Sequence, residues 1–157
     1  MTLFNADSAP AGGTSLILQF DGGSRGNPGP AGIGVTVSTD AGEPLYELGE
    51  FLGDCTNNFA EYTALVRGLR AAVALGAKKL LIRADSELVV RQLNGQYKVK
   101  SPDLKPLYRE AIELIVRIGQ VKIAHVYREA NARADALANL AVDSLAKVEP
   151  LGPLPRT

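Results

Sequence analysis

Residues 78–85 read KKLLIRAD: two lysines, a nearly unbroken apolar run and a closing aspartate. A strand with one wet face alternates apolar and polar residues, whereas a short continuous apolar run marks a strand covered on both faces. Such strands belong to the parallel part of an α/β sheet, so a crossover helix must precede this one. That helix is visible immediately upstream. Tyr62, Leu65, Val66, Leu69 and Val73 fall at i, i+3, i+4, i+7 and i+11, one helical stripe. Asn57 or Asn58 is available to cap it, and Gly76 suits its end.

Further upstream the period is two. Leu16, Leu18 and Phe20 alternate with Ile17, Gln19 and Asp21; Ile33, Val35 and Val37 alternate again; a third extended run covers Leu45 to Leu52. The Gly- and Pro-dense DGGSRGNPGPAG and the AGEP turn separate them, and short turns predict an antiparallel meander. Downstream, SELVVRQLN (86–94) reads as a short helix and DLKPLYREAIELIVRIG (103–119) as a longer one opening near Pro102. VKIAHVY (121–127) reads as a fifth strand and NARADALANLAVDSLAK (131–147) as a final Ala-rich helix. The order βββαβααβα predicts an α/β fold: a five-stranded mixed sheet, three antiparallel strands plus two parallel, with helices on both faces. The domain is expected over residues 15–147. Residues 1–14, rich in Ala, Gly, Ser and Thr, read as a flexible leader, and the Pro-rich residues 148–157 as a flexible tail. Ends of this kind suit a free-standing protein.

The 157 residues, 46% hydrophobic and 22% charged, fit one domain. No apolar run approaches the ~18–20 residues that span a bilayer. The N-terminal MTLFNADSAP shows no basic region followed by an apolar one, so no secretory signal is visible. One cysteine, Cys55, excludes an internal disulfide, and one histidine, His125, excludes a Cys/His zinc site. A cytoplasmic monomer with no membrane association is expected. The 17 basic and 17 acidic side chains cancel, but they are segregated. Residues 1–60 hold one basic and seven acidic side chains, and residues 61–133 hold fourteen and seven. Separated signs leave room for a basic stripe, or for plain solvated helix faces.

Four carboxylates stand at element boundaries where the apolar pattern predicts the interior. Asp21 ends the first strand and Asp85 the buried one; Glu61 and Asp135 fall in the first turns of their helices. Each alone has a structural explanation, since acids complement helix N-termini and aspartate suits strand ends. Together they are harder to excuse. The topology makes the strands ending in Asp21 and Asp85 neighbours, and crowded like charges are costly unless a cation resolves them. An all-oxygen cluster selects Mg²⁺ or Mn²⁺. Two such ions ~3.5–4 Å apart suit in-line displacement at a phosphodiester. Asn27, Asn57 and Asn58 add uncharged groups suited to sugar hydroxyls and phosphates, and Gly22, Gly23 and Gly26 let a backbone approach a polyanion. DGGSRGNPGPAG also makes an ordinary hairpin turn.

DGGSRGNPGPAG, TNNFAEYTAL, ADSELVV and REANARADALANLA, in this order and spacing, resemble the type I ribonucleases H across residues 15–147. The resemblance implies an endonuclease cutting the RNA strand of an RNA/DNA hybrid, with water as nucleophile and two Mg²⁺ ions, leaving a 3′-hydroxyl and a 5′-phosphate. The family's four carboxylates fall on Asp21, Glu61, Asp85 and Asp135, its hybrid-binding asparagines on Asn27, Asn57 and Asn58, and Thr56 matches a hydroxyl residue near the DNA-strand phosphate.

Two departures follow. Many bacterial members carry a loop histidine shortly before the last aspartate; here His125 lies inside a strand pattern, where a structural role is expected, and the loop offers Arg128 and Glu129. Arg128 is expected to contact the scissile phosphate or help product leave. NGQYKVKSPDLKP is too short for the basic, Trp-bearing protrusion of some members and offers Lys98, Lys100 and Lys105, as in prokaryotic and archaeal forms lacking it. Weaker hybrid binding is expected. Another nuclease of the same fold, or a non-catalytic hybrid-binding module, are the alternatives; the second predicts a missing carboxylate, and none is missing.

Overall fold

The computed structural model describes residues 15–155, so the expected leader, residues 1–14, lies outside the described residues. The strands are β1 (Ser15–Ser24), β2 (Gly29–Thr39), β3 (Pro44–Cys55), β4 (Lys79–Ala84), β5 (Gln120–His125) and β6 (Lys147–Val148). The helices are α1 (Asn57–Ala74), α2 (Glu87–Leu93), α3 (Lys105–Ile118) and α4 (Ala132–Ser144). One sheet runs in the order β5-β4-β1-β2-β3-β6. β1, β2 and β3 form the antiparallel meander, and β4 and β5 extend it in parallel.

The expected five-stranded sheet needs correction, because β6 adds an antiparallel sixth strand against Gly49 and Glu50 of β3. Leu145 takes a left-handed φ of 51°, which turns the chain back after α4. Phe51 N–H then donates to the Ala146 carbonyl at 3.0 Å. Two residues carry no hydrophobic period, so only the open edge of β3 selects this strand. It takes in Val148, and Glu149 accepts from the Tyr46 hydroxyl at 2.6 Å. Three boundaries also differ. β1 runs on through Ser24 and β2 begins at Gly29, so the turn is only Arg25–Pro28, with a cis Asn27–Pro28 peptide. Thr56, rather than Asn57 or Asn58, caps α1, its Oγ1 accepting from Phe59 N–H at 3.2 Å. α3 opens at Lys105, after the expected start near Pro102.

Residues paired across neighbouring strands share a face of the sheet. Leu18 pairs with Val37 and Val37 with Tyr46; Phe20 pairs with Val35 and Val35 with Leu48. These rows form the core beneath α1, α2 and α3, where Leu18, Val35, Leu65, Leu69 and Ile82 are fully buried. Each such side chain contributes about 1.5–3 kcal/mol by leaving water. The other face carries Gln19, Thr36 and Glu47 in one row and Asp21, Gly34 and Gly49 in the next. Here α4 lies almost bare on the sheet. A Cβ at Gly34 would stand 1.8 Å from the Ala134 carbonyl oxygen, and one at Gly49 2.6 Å from that of Leu137. Arg133 grips Glu47 on the same face with two bonds of 3.0 and 2.8 Å. The first turn of α4, and Asp135 with it, is thereby seated beside Asp21.

Candidate active site

Phe20 pairs with Ala84 in the parallel register of β1 and β4, so the next residues, Asp21 and Asp85, leave one end of adjacent strands side by side. Glu61 arrives from α1. Its approach depends on Gly22, where a Cβ would lie 2.4 Å from the Ala60 carbonyl and 2.7 Å from Glu61 N. Helix backbone therefore touches strand backbone, and Gly22 N–H donates to Glu61 Oε1 at 2.7 Å. One carboxylate oxygen each from Asp21, Glu61 and Asp85 lie within 4.8 Å of one another. Asp135 comes from α4 to the same cleft, close enough for its charge to act on Asp21.

This crowding has electrostatic consequences. Burial, then the Asp85 charge and the nearness of Asp135, push the Asp21 carboxyl up to about 7. Burial, followed by Asp21 and Asp85, holds Glu61 well above the usual carboxylate range, and Gly22 N–H only partly opposes this. Half-desolvated carboxylates in mutual repulsion favour either protons or a cation. An all-oxygen donor set fits a hard divalent ion such as Mg²⁺ or Mn²⁺. Among the described residues no other cluster of three His, Cys, Asp or Glu side chains is gathered this closely.

The four carboxylates line a cleft of about 420 Å³ together with Gly22, Gly23, Asn57, Asn58, Ser86 and Arg128. Arg128 is exposed and opens a 3₁₀ turn, Arg128–Asn131, that leads into α4. Two expected site residues border this lining rather than form it. Asn27 accepts from Asn57 N–H at 3.0 Å, tying the β1–β2 turn to α1, and Thr56 lines a separate hollow with Pro28, Asp54 and Phe59. Asn57 serves both roles, since its Oδ1 accepts from Ser24 N–H at 2.8 Å while the residue borders the cleft. His125 ends β5 with an exposed side chain, its ring edge-on to Tyr127 at 5.6 Å.

Ser86 and Asn131 are not legible as site residues in the sequence. Ser86 caps α2, accepting from Val89 N–H at 3.3 Å, and so reads as a plain helix start. Asn131 stands where an N-cap is expected, which hides its other bonds. Of the basic residues between 61 and 133, Arg67, Arg70, Arg91 and Arg133 are tied to Glu50, Glu110, Glu87 and Glu47. The positive excess available to a ligand is smaller than the composition implies.

Known proteins share this sequence and fold. A family described as "Reverse transcriptase-like" matches residues 19–141. Ribonuclease HI of Halobacterium salinarum is 43% identical over 134 residues, covering 85% of this chain and 67% of that protein. The crystal structure of RNase H1 from that archaeon superimposes with a TM-score of 0.80 at 43% identity, covering 83% of this chain and 98% of that one. LC11-RNase H1, solved in complex with an RNA/DNA hybrid, gives a TM-score of 0.79 at 43% identity, with 83% and 98% covered. A bifunctional protein of Mycobacterium tuberculosis is 46% identical over 133 residues, which make up 84% of this chain but 36% of that protein. The chain thus spans about a third of that relative's length.

Proposed function

The chain belongs to the type I ribonuclease H family, and on that footing we propose that it is an endonuclease hydrolysing the RNA strand of RNA/DNA hybrids. The gathering of Asp21, Glu61 and Asp85 within 4.8 Å at the base of a cleft rimmed by amides carries this reading. The hybrid held by a relative of 43% identity supports the choice of substrate. Asp21, Glu61, Asp85 and Asp135 would hold two Mg²⁺ ions, with Mn²⁺ a possible substitute. Such ions supply charge stabilisation at the phosphorus and at the attacking and leaving oxygens.

The protein's own groups do the rest. Asn57 and Asn58 face a hybrid with uncharged side chains suited to sugar hydroxyls, and a ribose 2′-OH is the feature that marks the strand to be cut. Gly23 keeps that wall of the cleft free of side chain. Asn27 supports Asn57 from behind, and Thr56 meets the DNA-strand phosphate farther along. Arg128 meets the scissile phosphate or draws product away. Water forms the new bond to phosphorus as the bond to the 3′ oxygen breaks; that oxygen takes a proton, leaving a 3′-hydroxyl and a 5′-phosphate. We read the protein as a cytoplasmic monomer, and no helix among the described residues is long and apolar enough to cross a membrane.

An end-labelled hybrid incubated with Mg²⁺ tests the reading beside Asp85→Asn and Arg128→Ala. Cleavage confined to the RNA strand, loss of at least ~10³-fold in Asp85→Asn and a drop of ~10-fold or more in Arg128→Ala are expected, in keeping with the size of electrostatic contributions at such sites. Cutting of the DNA strand, or full activity in Asp85→Asn, would overturn the assignment. Unchanged turnover and affinity in Arg128→Ala would remove Arg128 from it.

A further inference from the structure

Asn131 closes the 3₁₀ turn and stands at the head of α4, where an asparagine ordinarily caps the helix. Here its side chain makes no capping bond. It is 1% exposed and turned beneath the cleft. Its Nδ2 donates to the Phe20 carbonyl at 2.8 Å and to Asp85 Oδ2 at 3.1 Å. Its Oδ1 accepts from Gln19 Nε2 at 3.3 Å, and Gln19 Nε2 also donates to the Ala130 carbonyl at 2.7 Å. Both amide N–H groups and the amide oxygen are therefore engaged. Turning the amide over would set its oxygen against the Phe20 carbonyl and the Asp85 carboxylate, so one orientation is enforced.

A neutral donor is suited to this place. Asp85 sits within 4.8 Å of two other carboxylates. An N–H bond holds it in one rotamer against their repulsion and leaves its charge and other lone pairs free for a cation. A lysine or arginine would cancel the charge instead. The same amide is bonded to the carbonyl just before Asp21 and lies one helical turn before Asp135. One side chain thus touches or adjoins the supports of three carboxylates from three elements.

We propose that Asn131 is a positioning residue that, backed by Gln19, sets the arrangement in which the carboxylates take up a divalent cation. This rests on reading the cleft as a cation site and adds the residue that shapes it. Calorimetric titration of Mn²⁺ into the full chain tests it with Asn131→Ala and Gln19→Ala, at a temperature where each variant is folded. Losing such a support weakens metal binding by about 10–100-fold, so Asn131→Ala is expected in that range and Gln19→Ala at about threefold. A residue that only held the fold together would lower the metal-free melting temperature and leave the Mn²⁺ Kd of folded protein unchanged. An unchanged Kd in Asn131→Ala, or in Gln19→Ala where the first variant does not fold, overturns the proposal. Wild-type protein that takes up Mn²⁺ but cuts no hybrid sinks the nuclease reading and leaves this one to the Kd ratios. Wild-type protein that takes up no Mn²⁺ overturns both.

Discussion

Asp21 is a strand residue pushed up to about 7 by burial and by its acidic neighbours. The folded chain therefore keeps a proton there over a pH range in which the unfolded chain, with the ordinary value of 3.8, has released it. Where the folded state binds more protons, stability falls as pH rises. Metal-free protein is thus expected to lose stability between about pH 4 and pH 7, and divalent cations should restore it above that range. Asp21→Asn should flatten the slope, raise the metal-free melting temperature at pH 8 and abolish stabilisation by Mg²⁺. Thermal melts with and without chelator at pH 5 and pH 8 would check this; an equal slope in both proteins would contradict it. The position of Asp21 was legible as an acid closing an apolar strand. Its proton affinity was not, because that depends on Asp85 and Asp135, 64 and 114 residues further along.

The helices and strands show where local patterns suffice and where they do not. β4 and α1 were readable because burial on both faces and a 3.6-residue stripe leave marks in the order of residues. The seat of α4 left none. Gly32, Gly34 and Gly49 look like strand breakers, and Gly22 like room for a polyanion, yet each is bare because a helix backbone lies against it. Gly34→Ala places a Cβ on the Ala134 carbonyl and must lift the start of α4. A cost of about 1–3 kcal/mol is expected from such overpacking, with a lower melting temperature. Hybrid cleavage should fall by more than ~10-fold as Asp135 moves, since misplacement of about 1 Å can cost far more than that. Gly42→Ala is the control: its φ of 90° makes the substitution mildly strained, but nothing lies within 4 Å, so cleavage should be kept. Equal activities in the two variants would remove α4 packing as the means of placing Asp135.

Across the molecule, the balance of 17 against 17 charges separates into an acidic cleft and scattered cations. Four arginines of the basic region are tied to glutamates, while Lys98, Lys105 and Arg109 line one hollow with Tyr97 and Tyr108. With Arg128, these four cations are in no ion pair among the described residues. About four contacts predict a slope of log K against log salt of about −4 or shallower for hybrid binding. A slope steeper than about −6, measured by titrating labelled hybrid with chelator present, would show a larger basic surface than this one. The residue order alone determined the element types, the neighbouring of β1 and β4 and the four carboxylates, because periodicity and acids at apolar boundaries are local signals. Only the tertiary structure decided the sixth strand, the glycine seat of α4, the bond that ties Asn27 to Asn57 and the bonds of Asn131. Each of these depends on contact between segments far apart in the chain, where backbone meets backbone or one amide spans three elements, and no local pattern encodes such a meeting.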